Sequence, residues 1–331
     1  MNGLTQIFQS PLRLIKVLRI ISVAAVVLLA VRSFTSHASK WTRINSLPKV
    51  AYATLLLPDQ NTNRSESDSD AYFLSARLLN YQLQHDDYTR TTRSIPFLVL
   101  VTRDVSSWKV DQLAREGATV VVVERFDVAW IEPGRERWRD VMIKLRLFEL
   151  VDYERILFLD ADTFLFKPMD GIFDDPAAQN RNTLQTATIE SDEGPLPETY
   201  IFATTAEVMH TTHSYPPVPM SYFNAGFFLM SPSLNLYTYY TSLFKLPGRF
   251  DTTYPEQNLL NYAHRQEGNM PWARLSYSWN IVLPHPNDVK QGVASVHAKL
   301  WTPGTELQPI EEELQQRWLA KKQEMEKVFE E

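Results

Sequence analysis

Apolar residues recur along this chain in short uninterrupted runs, separated by stretches with helical spacing. That pattern predicts buried parallel strands joined by crossover helices. Residues 50–57 form the first run, and 70–84 follow as a helix opened by the Asp70 cap. A second strand is predicted over 97–102, a helix over 108–116 stopped by Gly117, and a third strand over 119–123. Residues 137–150 carry Lys144, Arg146 and Glu149 among spaced apolar positions and read as an amphipathic helix before a strand at 156–159. The resulting βαβαβ order predicts an α/β fold with a mostly parallel central sheet flanked by helices, a nucleotide-binding type of architecture.

Beyond Asp175 the periodicity fades, and residues 176–220 read as a long irregular segment rich in Thr and Pro, the kind of connection that forms lids and binding loops. A strand interrupted by Ala225-Gly226 is expected over 222–230, where the small pair allows close backbone approach. Helices are expected over 232–244 and 255–265, a short strand over 294–297, and a charged amphipathic helix over 310–331, suited to surface packing.

The run Arg155-Ile-Leu-Phe-Leu-Asp160-Ala-Asp162 delivers two carboxylates to the end of an apolar strand. Ligands of open α/β sheets bind at the carboxyl ends of strands. Side chains at i and i+2 of an extended segment share a face, so both carboxylates can reach one hard divalent cation. The same spelling, Asp68-Ser-Asp70, occurs in a polar stretch with no strand before it and reads as a solvated loop.

Composition narrows the chemistry. The chain has 331 residues and no cysteine, which excludes a disulfide framework, a thiolate nucleophile and cysteine-ligated zinc. Neither G-x-G-x-x-G nor G-x-x-x-x-G-K-[ST] occurs, so phosphates are not held in a glycine cradle. Net charge is −6, while the first 40 residues hold five basic residues and no acid. The acidic remainder has no basic stripe, which argues against nucleic acid as a partner.

Those first residues predict a membrane device. Residues 20–31 are uncharged and apolar, and Arg13, Lys16 and Arg19 precede them. Twelve helical residues cover roughly 18 Å against a hydrocarbon core of about 30 Å, so residues 12–18 must contribute. The reading is a cytosolic tail (1–11), a signal anchor (12–31), a stem (32–48) and a luminal body in the Golgi or endoplasmic reticulum. A cleaved signal peptide, with Ser36-His-Ala38 as a small-x-small site, and a core helix are the other readings. Asn63-Arg64-Ser65 is a glycosylation sequon usable in such a lumen.

The ordered blocks Tyr52-Ala-Thr-Leu-Leu, Met142-Ile-Lys-Leu-Arg, Phe158-Leu-Asp-Ala-Asp-Thr, Phe223-Asn-Ala-Gly-Phe, Glu256-Gln-Asn-Leu-Leu-Asn and Val296-His-Ala-Lys resemble glycosyltransferase family 8, over about residues 49–303. Glycogenins and fungal Golgi sugar transferases belong to it. The resemblance implies a GT-A fold over 49–305, a UDP-sugar donor, Mn²⁺ with Mg²⁺ as substitute, and retention of anomeric configuration. It implies Asp160, Asp162 and His297 as metal ligands, Lys144 beside the donor diphosphate, and Lys299 as a second phosphate-facing residue. The family's longer H-x-x-G-x-x-K-P-W spelling is contracted here to His297-Ala-Lys-Leu-Trp-Thr-Pro. Asn224 matches the sugar-contacting asparagine, and Gln257 the residue beside the anomeric carbon, preceded by Glu256. Thr54, Leu55 and Tyr72 are similar to the uridine contacts, and Ala161 lies between the two metal carboxylates, on the donor side.

The implied reaction moves a sugar to a hydroxyl of a glycan or glycoprotein. UDP-GlcNAc is the first expectation for the donor, with UDP-glucose and UDP-galactose next. Retention can arise by same-face return of the acceptor or by covalent participation of Glu256 or Gln257. Glutamine is a poor nucleophile, which favours same-face return. Two rivals stand beside this reading. A haloacid-dehalogenase phosphatase also ends a strand in D-x-D, although its motif wants Thr or Val where Phe164 stands. An inactive lectin-like scaffold on a transferase fold is the other.

Overall fold

The structure, a computed structural model, describes residues 49–58, 70–135, 138–306 and 309–330. β1 (Val50–Leu56), α1 (Ala71–Gln84), β2 (Phe97–Val101), α2 (Ser107–Arg115) and β3 (Thr119–Val122) follow one another as the apolar pattern predicts. Asp70 caps α1 by accepting from the amides of Tyr72 and Phe73, both at 3.1 Å. Gly117 leaves α2 with φ +95°, a conformation other side chains resist.

Next come β4 (Arg155–Leu159), β5 (Thr163–Leu165), β6 (Arg181–Asn182), β7 (Thr199–Tyr200), β8 (Phe202–Ala206), β9 (Phe223–Met230), α3 (Leu234–Ser242) and α4 (Pro255–Ala263). β10 (Ala273–Arg274), β11 (Asn280–Val282), α5 (Pro286–Lys290), β12 (Ser295–His297) and α6 (Glu312–Glu330) complete the described elements. The central sheet has the order β10-β8-β9-β4-β1-β2-β3. Its pairs are parallel except β9 with β4 and β9 with β8. A small sheet, β11-β12-β5, stands beside it.

Both faces of the sheet are buried at its inner strands β1, β2, β4, β8 and β9, which is why most of them read as continuous apolar runs. Ala51, Ala53, Ile156 and Phe158 enter one core cluster, and Tyr52, Leu56, Leu157 and Leu159 the other. Each strand thus sends alternate side chains to opposite layers.

Three expectations need correction. Residues 176–220 are not a structureless lid, because they contain β6, β7 and the wholly buried β8, which lies inside the central sheet between β9 and β10. Its Phe-Ala-Thr-Thr-Ala sequence reads as polar, yet the Thr204 hydroxyl donates to the Phe227 carbonyl at 2.6 Å and can therefore be buried. The amphipathic helix expected over 137–150 is a 3-10 helix, Val141–Glu149. Met142, Ile143, Lys144, Leu145, Leu147 and Phe148 are all buried there, so tertiary packing overrides the helical spacing. The helix expected over 232–244 ends as α3 and continues as a 3-10 turn, Leu243–Lys245. The expected tail, anchor, stem and sequon lie outside the described residues. Among the described residues no helix is long and apolar enough to cross a membrane.

One buried core group makes the packing testable by pH. His264 stacks on Phe202 with ring centres 4.1 Å apart, and its Nδ1 donates to the Met270 carbonyl at 2.8 Å, which leaves Nε2 to accept from the Tyr240 hydroxyl at 2.6 Å. Burial pulls its pKa down from 6.5 to about 3, so the folded protein holds it neutral. The unfolded chain takes up a proton below 6.5 and the native one does not, so this group's contribution is full above that pH and is lost on acidification towards 3. We expect the His264 imidazole resonances to stay fixed between pH 8 and pH 5. Titration near the ordinary histidine value would show that the site is open to water.

Candidate active site

The site lies at the carboxyl end of β4, where three separate pieces of chain meet. β9 runs antiparallel to β4 with Leu159 opposite Phe227, and the Asp160 amide donates to the Gly226 carbonyl at 2.7 Å. The chain then turns sharply, with the Thr163 amide donating to the Asp160 carbonyl at 2.9 Å. This turn sends β5 out of the central sheet to pair with β12, Thr163 opposite His297. The Ala298 amide closes the arrangement by donating to the Asp162 carbonyl at 3.1 Å.

Asp160 and Asp162 therefore converge through a tight turn, not through the alternation of an extended strand. His297 Nε2 lies 2.9 Å from Asp162 Oδ1 and 3.7 Å from Asp160 Oδ2. One donor atom from each of the three side chains falls within 4.8 Å of the others. An octahedral cation with bonds of about 2.1 Å spaces neighbouring donors about 3 Å apart, so two carboxylates and an imidazole at these separations fit one Mg²⁺ or Mn²⁺. The second histidine nitrogen, Nδ1, is buried with no hydrogen-bond partner among the described residues.

Gly226 makes the arrangement possible. A Cβ there would stand 2.2 Å from His297 Cε1, 2.6 Å from its Nδ1 and 2.7 Å from Asp160 Oδ2. The predicted need for small residues at 225–226 is thus the room that the histidine ring occupies.

Lys144, which its helical spacing would leave on a surface, is buried instead. Its ammonium lies 3.0 Å from Asp160 Oδ1 and 2.8 Å from Glu256 Oε1, donates to the Ala225 carbonyl at 3.3 Å, and sits 5.0 Å from the centre of the Phe158 ring. Burial works against its charge, but the Asp160 and Glu256 carboxylates outweigh this and hold its pKa above the usual lysine value. Burial likewise opposes ionisation of Asp162, yet the His297 imidazolium and the Lys299 ammonium, 3.0 Å from Oδ2, hold it well below the carboxylate range. His297 is raised by Asp162 and Asp160 against the opposing effect of burial. A divalent cation on these ligands would replace the proton that the imidazole otherwise holds.

α4 supplies the floor. Pro255 opens it, and Glu256 and Gln257 occupy its first turn. Asn261 ties it to β9 by accepting from the Phe223 amide at 3.0 Å and donating to the Phe223 carbonyl at 2.9 Å. Gln257 accepts from the Ala225 amide at 3.0 Å and donates to the Tyr222 hydroxyl at 2.8 Å, so both ends of its amide are engaged. Asn224 accepts from the Gly226 amide at 2.8 Å and donates to Glu207 Oε2 at 3.2 Å.

Glu207 had no place in the reading of the sequence. It follows β8, and burial raises its pKa, partly offset by Asn224. Its signal was faint but present, a carboxylate ending a short run of strand formers, as in the D-x-D segment. Tyr222, pushed up to about 12 by burial, is a second member of this wall.

On the β1 side of β4, Thr54 is fully buried, with its hydroxyl unpartnered among the described residues, and Leu55 is half-buried. Tyr72 is exposed at the first turn of α1 and meets the Trp301 ring edge-on at 5.3 Å. Lys299 lies 5.9 Å from the Tyr72 ring centre. Ala161 is buried beneath the turn.

Comparison with known proteins agrees with this geometry. The sequence profile described as "Glycosyl transferase family 8" matches residues 107–297. An uncharacterized protein of Schizosaccharomyces pombe is 30% identical over 280 residues, covering 74% of this chain and 73% of its own length. Galactinol synthase 3 of Arabidopsis thaliana is 26% identical, covering 62% of this chain and 63% of its own. Among solved structures, an active-site mutant of LgtC superposes with a TM-score of 0.51 at 14% identity, over 82% of this chain and 95% of that one. The glycosyltransferase GlyE of Streptococcus pneumoniae does so with a TM-score of 0.50 at 11% identity, over 85% and 63%. The chain belongs to glycosyltransferase family 8 and has the GT-A fold, which removes the phosphatase reading.

Replacing Gly226 by Ala tests the close approach directly. The added methyl must displace His297 or Asp160, so Mn²⁺ affinity measured by calorimetry should fall by at least about tenfold, each tenfold being 1.4 kcal/mol, while circular dichroism stays native. Unchanged Mn²⁺ binding would show that these three residues do not form the cation site.

Proposed function

We propose that this chain is a retaining glycosyltransferase that moves a sugar from a UDP-sugar to a hydroxyl of a glycan or glycoprotein, with Mn²⁺ as its cation and Mg²⁺ as a substitute. The observation that carries this reading is the convergence of Asp160, Asp162 and His297 on one point, with Lys144 and Lys299 on either side, in a family 8 chain. A divalent cation on the three ligands supplies positive charge against which a departing diphosphate is stabilised.

In this reading the bond from the anomeric carbon to the phosphate oxygen breaks, and the acceptor oxygen bonds to that carbon from the same face. The acceptor proton passes to the leaving phosphate oxygen. Lys299, and Lys144 through Asp160, hold positive charge where negative charge develops. Three contacts favour this route over covalent participation. Glu256 is committed to Lys144 at 2.8 Å, and the Gln257 amide is held at both ends. These residues position the acceptor and the sugar, alongside Asn224. Sheet order supports a division of labour, with Thr54, Leu55 and Tyr72 on the β1 side for the nucleoside and Asn224 on the β9 side for the sugar.

UDP-GlcNAc is the first candidate donor, with UDP-glucose and UDP-galactose next, and the galactinol synthases among the relatives support including UDP-galactose. The basic residues before the apolar run at 20–31 support a signal anchor with the site in the Golgi or endoplasmic reticulum lumen. Protease treatment of sealed microsomes should then spare residues 41–331, and digestion of the body from outside would refute that placement.

Activity separates the transferase from an inactive scaffold. The purified body should hydrolyse or transfer from one of the three sugar nucleotides only when Mn²⁺ or Mg²⁺ is supplied. Asp162→Asn, which keeps the shape of the side chain and removes its charge, should lower turnover by a factor of about 100 or more without unfolding the domain. Full turnover in that variant would sink the assignment, and binding of UDP without any turnover in the wild type would favour the scaffold.

A further inference from the structure

α6 lies beyond the 107–297 span shared with the family, yet it is fastened to the segment that follows His297. Gln315 Nε2 donates to the Thr302 carbonyl, and the Ile310 amide donates to the Pro303 carbonyl at 3.1 Å. Trp318, 5% exposed, places its ring 6.2 Å from that of Trp301. Trp301 meets Tyr72, and Lys299 lies between Tyr72 and Asp162. Further along, α6 also meets α1 and the residues that follow it. Lys321 is 3.2 Å from Asp86, and the Phe329 ring is 5.9 Å from Tyr81 and 5.2 Å from His85. The Phe329 ring also lies 6.0 Å from the Arg77 guanidinium, so Lys321 and Phe329 both meet the C-terminal half of α1 and the residues just after it, while Trp318 reaches Tyr72 through Trp301.

Within residues 298–303 the backbone makes two short-range hydrogen bonds, Leu300 to Ala298 at 2.8 Å and Thr302 to Lys299 at 3.1 Å. Holding a long lysine side chain at one place from so short a turn costs conformational entropy that external contacts must offset. Gln315 and Trp318 make such contacts, and they reach the segment from outside the catalytic cluster.

We propose that α6 is a positioning brace, in which Gln315 and Trp318 fix the Lys299–Trp301 segment against Tyr72 and so set the affinity for the diphosphate of the donor. This inference rests on the donor reading given above and adds to it a part of the chain that the family profile does not include.

The test compares Trp318→Ala, Gln315→Ala, Trp318→Phe and Met325→Ala. Met325 is fully buried on the same helix, beyond the Trp301 contact, and serves as the control for general loosening. Backbone hydrogen exchange should quicken at 298–303 in Trp318→Ala and Gln315→Ala but not at 160–163. Calorimetry with UDP and MnCl₂ should show UDP affinity lowered about tenfold in these two variants, as expected for a misplaced binding group. The donor KM should rise with kcat nearly unchanged. Trp318→Phe should recover most of the affinity, and Met325→Ala should lower the Tm while leaving UDP binding at the wild-type level. Wild-type UDP affinity in folded variants whose exchange has quickened would overturn the brace, as would equal weakening by Met325→Ala. If Trp318→Ala does not fold, Gln315→Ala, which loses one hydrogen bond, decides. Failure of the wild-type chain to bind UDP at all would sink the donor reading instead, and the exchange pattern alone would then judge whether α6 holds the segment.

Discussion

The Lys144 ammonium has almost no contact with solvent and lies between the carboxylates of Asp160 and Glu256 at 3.0 Å and 2.8 Å. The surrounding elements are arranged to keep it there. A buried charge left without its partner costs several kcal/mol, so removing Lys144 would strand the buried Glu256 carboxylate. The three groups come from a 3-10 helix, the end of the β4 strand that follows it, and the first turn of α4, almost a hundred residues further on, which this interaction ties to the other two. Asp162 extends the same balance to His297 and Lys299. The result is a cluster of carboxylates already surrounded by positive groups.

Geometry as well as charge restricts the sequence here. β9 approaches β4 closely enough for the Gly226 carbonyl to accept from Asp160, and the same glycine leaves the space that His297 fills. β12 reaches the site only because the Asp160–Thr163 turn diverts β5 into a second small sheet. Fixed charges placed this way are most effective where charge develops during reaction, because nothing has to reorient at that moment.

Much of this was legible in the sequence. The apolar runs at β1, β2, β4 and β9 announced themselves because both faces of the sheet are buried. Asp160 and Asp162 stood out because charge ends an apolar strand, and His297 drew attention through the family resemblance. Other features left weaker traces. β8 was hidden because Thr204 and Thr205 read as polar, although a hydroxyl that donates to a strand carbonyl is at home in a core. Lys144 sits at a helical spacing that predicts a surface position, and only the tertiary approach of Glu256 reveals it as buried. Glu207 joins Asn224 through the antiparallel pairing of β8 and β9, a register that no local pattern encodes. The contribution of α6 was invisible for the same reason, since its charged amphipathic sequence states which face packs but not what it packs against.

The claim on which the rest stands is that one cation, held by Asp160, Asp162 and His297, meets the diphosphate of the donor. Electron-nuclear double resonance on Mn²⁺ added to the folded protein reads both contacts at once. The expected result is one bound ion per chain, with nitrogen coupling from a single imidazole that is absent in His297→Gln, and phosphorus coupling that appears when UDP is added. Bound Mn²⁺ without the imidazole nitrogen, or UDP binding without phosphorus coupling, would contradict it.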